Sequence, residues 1–67
     1  DQKDQAQAAY LDLIKLAPQA WDAYYELGKL QIAMGNTLQA KDTFKNLLAK
    51  KPDYEKRAEI EKILATL

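Results

Sequence analysis

The sequence predicts an all-α fold of antiparallel helix-turn-helix repeats, an α-solenoid of about four helices. Three observations carry this. Residues Gln5–Pro18, QAQAAYLDLIKLAP, are echoed 34 positions later by Gln39–Pro52, QAKDTFKNLLAKKP. The two stretches are identical at Gln5/Gln39, Ala6/Ala40, Leu13/Leu47 and Pro18/Pro52, and conservatively matched at Tyr10/Phe44 and Ile14/Leu48. The shared positions recur at the three- and four-residue spacing of one helical face, and each stretch closes on a proline, which stops a helix. The connections between helical stretches are short, so neighbouring helices must fold back antiparallel.

The first helix is expected from about Gln2 to Leu16, with Ala6, Ala9, Tyr10, Leu13 and Ile14 on its apolar face. It stops because Pro18 disfavours the α conformation at Ala17. The second starts near Ala20 and turns Trp21, Tyr24, Leu27, Gly28 and Leu30 towards a core. It ends at Met34-Gly35-Asn36, where glycine takes a left-handed conformation at no Cβ cost and Asn36 offers a polar cap. The third spans roughly Thr37 to Lys50, with Ala40, Phe44, Leu47 and Leu48 inward and Lys50 and Lys51 at its negative dipole end. Pro52 closes it. Asp53 is placed to cap a fourth helix, Tyr54 to about Thr66, with apolar positions Ala58, Ile60, Ile63, Leu64 and Leu67. Glycine inside a helix costs about 1 kcal/mol relative to alanine, so Gly28 implies a close helix crossing, with Ala40 as the small residue on the other side.

At 67 residues the chain makes one small domain, of a size that buries only about 60% of its unfolded surface. It contains no cysteine and no histidine. That removes disulfides, Ser-His-Asp and Cys-His chemistry, and nearly all transition-metal sites, so neither an enzyme nor a cofactor is expected. Ten basic residues balance ten acidic ones, and their mixing along the chain leaves no field of one sign to draw in nucleic acid or anionic lipid. Lys41, Lys45, Lys50 and Lys51 are interrupted by Asp42. Asp22/Glu26 and Glu55/Glu59 are carboxylate pairs at helical spacing, but without further oxygen ligands they read as solvated faces. Asp12 with Lys15, Asp42 with Lys45 and Glu59 with Lys62 read as surface pairs. Apolar runs are short and broken by charges, as in LDLIKLA, so membrane insertion is not expected. The balanced charge points to another protein as the partner, and the opening at Asp1 rather than at methionine suggests an excised or processed piece.

These residues resemble the tetratricopeptide repeat, a 34-residue helix-turn-helix with a large aromatic, Leu-Gly, Gly-Asp/Asn, Ala, an aromatic and a closing Pro. The corresponding residues are Tyr24, Leu27-Gly28, Gly35-Asn36, Ala40, Phe44 and Pro52. Two departures imply local repacking: Tyr24 stands for the usual Trp, with Trp21 one turn earlier, and Gln31 stands for a frequent Tyr. The resemblance implies right-handed superhelical stacking. It makes residues 1–18 the second helix of a preceding repeat, 19–52 one complete repeat, and 53–67 a capping helix at the C-terminal end of an array. Glu61 and Lys62 stand where a further repeat would have Leu-Gly.

The same resemblance implies a non-catalytic protein-interaction module that binds a peptide or helix of a partner on its concave face. The family's ligand-facing positions fall on Asp22, Tyr25, Lys29 and Ile32, and Lys56, Glu59 and Ile63 would extend that groove. Tyr25 is the expected anchor, because tyrosine offers large contact area at low entropy cost. The family's carboxylate-clamping domains are not matched, since Tyr25 and Glu26 stand where clamp groups would be. The alternative is a structural end cap, spacer or self-association element. In that reading the first helix, lacking its usual neighbour, pairs with another copy through Ala6, Ala9, Leu13 and Leu16. Exposure of Tyr25 and Ile32 favours the first reading, and their burial the second.

Overall fold

Pro18, Gly35 and Pro52 punctuate residues 2–67, which the computed structural model describes, into α1 (Gln2–Leu16), α2 (Trp21–Ala33), α3 (Thr37–Lys50) and α4 (Arg57–Thr66). No strand occurs among the described residues. At the end of α2, Gly35 has φ +81°. The Asn36 N–H donates to the Gln31 carbonyl at 2.8 Å and the Gly35 N–H to the Ile32 carbonyl at 3.0 Å. This paired capping satisfies carbonyls that the helix leaves open, and glycine alone adopts the required φ without strain.

Two expected caps are absent. The Asn36 side chain makes no capping hydrogen bond, and its backbone at φ −91°, ψ 66° departs from the extended conformation that aims a capping oxygen at the first amides. Asp53 does not cap α4, which begins at Arg57 rather than Tyr54. Its carboxylate instead meets the Lys51 ammonium at 3.3 Å. A turn intervenes, with the Tyr54 N–H on the Lys51 carbonyl at 3.1 Å and the Arg57 N–H on the Tyr54 carbonyl at 3.0 Å. Arg57 locks it by donating from Nη1 to the Pro52 carbonyl at 2.8 Å and from Nε to Glu61 Oε1 at 2.6 Å. The turn delivers the Tyr54 side chain inward, where it is 6% exposed.

The principal contact is α2 against α3, with α1 on α2 and α4 on α3. Ala40, Phe44, Leu47 and Ile60 lose all solvent contact, and Tyr24, Tyr25 and Tyr54 join them in one cluster. Burying a side chain the size of Phe44 or Leu47 is worth roughly 1.5–3 kcal/mol. A Cβ built on Gly28 would stand 2.5–2.9 Å from three carbons of the Phe44 ring. The close approach read from Gly28 is therefore real, and the group that needs the space is the Phe44 ring rather than Ala40.

Both departures from the repeat pattern have partners. Trp21 stacks at a tilt on Tyr24, ring centroids 5.8 Å apart. Gln31, buried, accepts a hydrogen bond from the Thr43 hydroxyl at 2.6 Å. Tyr24 also ties two turns together: its hydroxyl donates to the Pro18 carbonyl at 3.1 Å and accepts from Lys50 Nζ at 3.2 Å.

The outer helices are less well seated. No residue of α1 is fully buried. Ala6, Gln7, Tyr10 and Ile14 are half-buried, whereas Ala9 and Leu13, expected on the same apolar face, are exposed. Gln7 Oε1 is enclosed without a hydrogen-bond partner. In α4 only Ile60 is fully buried, and Ala58 is exposed. The ion pairs among the described residues are Lys51–Asp53 and Arg57–Glu61, not the three expected from spacing. Glu59 is drawn away by a buried tyrosine, described below.

Gly28→Ala places a methyl group inside the Phe44 ring contact and Gly28→Leu overfills it further, while Ala40→Leu overpacks a position that has no solvent contact of its own. Each is expected to lower unfolding free energy by about 1–3 kcal/mol or more in urea melts followed by circular dichroism, despite alanine's better helix propensity.

Candidate functional site

The helical period sets Asp22, Tyr25, Lys29 and Ile32 along one stripe of α2. Tyr25, the expected open anchor, is closed: it is 5% exposed. Its ring lies 6.4 Å from Phe44 and 6.3 Å from Tyr54, centroid to centroid. Its hydroxyl donates to Glu59 Oε2 at 2.7 Å, which brings α4 across it. Lys56 Nζ and Lys29 Nζ stand 4.6 Å and 5.1 Å from the ring centroid. The physical reason is that a tyrosine's large apolar body gains more beneath a helix than in water, provided that its hydroxyl finds an acceptor. Ile32 is half-buried and packs against the core. Asp22 and Lys29 remain exposed. Asp22 Oδ1 accepts the Tyr54 hydroxyl at 2.6 Å. Of the expected extension, Lys56 and Ile63 are half-buried and Glu59 is exposed while holding Tyr25.

The electrostatics are those of held side chains. The Tyr25 phenol is raised above its ordinary 10.0, first by its hydrogen bond to Glu59, then by burial and by the charges of Glu59 and Glu26. The Tyr54 phenol is also raised, first by burial, then by the hydrogen bond to Asp22 and the charges of Asp22 and Glu55. Both stay protonated and keep donating. Asp53 is lowered, first by the hydrogen bond from Lys51 and then by its own backbone N–H. Among the described residues no group of three or more acidic, His or Cys side chains is placed to hold a metal ion, and no helix is long and apolar enough to cross a membrane.

A concavity of about 570 Å³ opens between the α1–α2 turn, the first turn of α2 and the α3–α4 turn. Leu13, Ala20, Trp21, Asp22, Asp53 and Glu55 are among its lining residues. Only Asp22 belongs to the stripe expected from sequence. Trp21, read as a core residue, is half-buried and forms part of the groove wall. Its place one turn ahead of the usual aromatic was the one sign of this groove in the sequence.

Residues 22–54 match the family model of the tetratricopeptide repeat, a stretch that covers α2 from Asp22 on, α3 and the turn as far as Tyr54. No curated protein and no solved structure matches the chain significantly.

Because the folded state holds the Tyr25 and Tyr54 protons more tightly than the unfolded chain does, their contribution to stability is fully present below pH 10.0 and is lost as pH rises through the folded values. Melting temperature is expected to fall above about pH 10, and to fall less steeply in the double variant Tyr25→Phe/Tyr54→Phe. Superimposable alkaline profiles would remove these two hydrogen bonds as the cause.

Proposed function

The chain carries a tetratricopeptide repeat over residues 22–54, and on that footing we propose that it is a non-catalytic protein-interaction module holding a peptide or helix of a partner along the α2–α4 face. Repeats of this family are generally protein–protein interaction modules. The supporting observation is that the two open residues of the stripe are anchored in advance, Asp22 by the Tyr54 hydroxyl and Lys29 by the Tyr25 ring. Side chains fixed before a ligand arrives lose less entropy on binding, so a short surface serves better than its area alone would allow. In this reading Asp22 and Lys29 meet the partner's charges, while Tyr25 and Ile32 form the floor that carries them. In this reading the segment 1–18, which contains α1, corresponds to the second helix of a preceding repeat, 19–52 to the complete repeat, and 53–67, which contains α4, to the cap.

The burial of Tyr25 under α4 favours a second reading, an end cap or self-association element of a larger assembly protein. Leu16 is 86% exposed and Leu13 44%, on a helix face with nothing upon it, which is where a second copy would pack. The two readings need different variants, because Tyr25→Ala would hollow the core and cost about 3–5 kcal/mol in its own right.

Lys29→Glu, an exposed change, is expected to leave the melting temperature within a few degrees of the parent's while reducing recovery of partner protein in a pull-down by about fivefold or more. Equal recovery would count against this face. In sedimentation velocity, any concentration-dependent dimer is expected to disappear in Leu16→Glu, and a parent that stays monomeric at millimolar concentration would exclude the self-association reading.

A further inference from the structure

We propose that the groove between the α1–α2 and α3–α4 turns binds a partner-protein segment in which a Lys or Arg neighbours an apolar side chain. The apolar side chain enters between Leu13 and Trp21, and the cation sits between Asp22 and Glu55. This is a second surface, distinct from the α2–α4 face and sharing only Asp22 with it.

The floor is apolar. Leu13 is exposed, Ala20 and Trp21 are half-buried, and the Trp21 ring is held by its tilted contact with Tyr24. An indole so placed accepts an aliphatic stem or the face of a guanidinium equally well. The rim is acidic. Of its charged residues Asp22, Lys51, Asp53 and Glu55, the single base is taken by Asp53 at 3.3 Å. Asp22 and Glu55 have no ion-pair partner among the described residues. The Tyr54 hydroxyl fixes the Asp22 carboxylate at 2.6 Å, so one anion is oriented before a ligand arrives. Asp22 and Glu55 both line the groove, on either side of Tyr54 in its wall. At about 570 Å³ the groove accommodates a few side chains rather than a whole helix.

A cation flanked by an apolar group matches this surface, and an anionic ligand is repelled by it. A second copy of the chain is the competing occupant, through exposed Leu38 with Lys41 and Lys45 on α3. On that face exposed Lys45 stands two turns from Leu38 with Asp42 between them, and Lys41, the base one turn from Leu38, is half-buried, so no open cation neighbours the apolar side chain. The charge pattern therefore favours a partner segment.

Trp21 is the chain's one tryptophan and stands on the groove wall, so its emission reads occupancy directly. Titration of the whole chain with an acetylated Gly-Leu-Arg-Leu-Arg-Gly peptide is expected to give a saturable emission change that weakens as salt rises, and the analogue with Glu in place of Arg is expected to give none. Glu55→Lys and Leu13→Asp, both exposed, should each weaken affinity about fivefold or more with unchanged thermal melts. Lys29→Glu should bind the peptide as the parent does, which separates this groove from the α2–α4 face. Absence of saturable change up to about 1 mM peptide overturns the proposal. So does equal binding of the Glu analogue, or undiminished affinity in Glu55→Lys. Emission that shifts with concentration of the protein alone, and is restored by Leu38→Glu, assigns the groove to a second copy and overturns it equally.

Discussion

The structure depends on one contact, the Phe44 ring laid against the backbone of α2 where Gly28 has no side chain. Without that gap α2 and α3 would be held further apart, and the residues that close over Phe44 would lose their seat. Tyr25 packs on Phe44, Tyr54 packs on Tyr25, and each of the two tyrosines ends in a carboxylate, Glu59 and Asp22 respectively. The series runs from a core fixed by shape to a surface fixed by hydrogen bonds. It turns a packing constraint inside the hairpin into the position of charged groups outside it.

That continuity explains why this small chain carries oriented surface residues at all. Exposed carboxylates and ammonium groups normally sample many rotamers and contribute little. Asp22 is tied down by a buried hydroxyl, and Lys29 and Lys56 lie over the Tyr25 ring. Held in this way, these charged groups keep fixed positions at the surface. The tetratricopeptide repeat supplies the hairpin, and its departures from the usual pattern, Trp21 and Gln31, are each absorbed by a neighbour.

Much of the fold is legible in the sequence because its signals are local. Pro18, Gly35 and the three-and-four spacing give α1, α2 and α3 nearly to the residue, since chain stiffness and helical period act within a few positions. The start of α4 is not local. Asp53 looks like a cap, but Lys51 takes its carboxylate and the burial of Tyr54 imposes a turn first. The site was less legible still. Helical period says that Tyr25 shares a stripe with Asp22 and Lys29, but it cannot say that α4 lies on top of it. The groove is built from two turns about thirty residues apart in sequence, and only the antiparallel return of α3 along α2 brings them together.

The seating of α1 has its own consequence. A helix with no fully buried residue and one enclosed, unanswered amide oxygen contributes little to global cooperativity. Its amides are expected to exchange with solvent through local detachment, ahead of those of α2 and α3. Because Leu13 belongs to both α1 and the groove, local detachment of α1 would erase one wall of that groove.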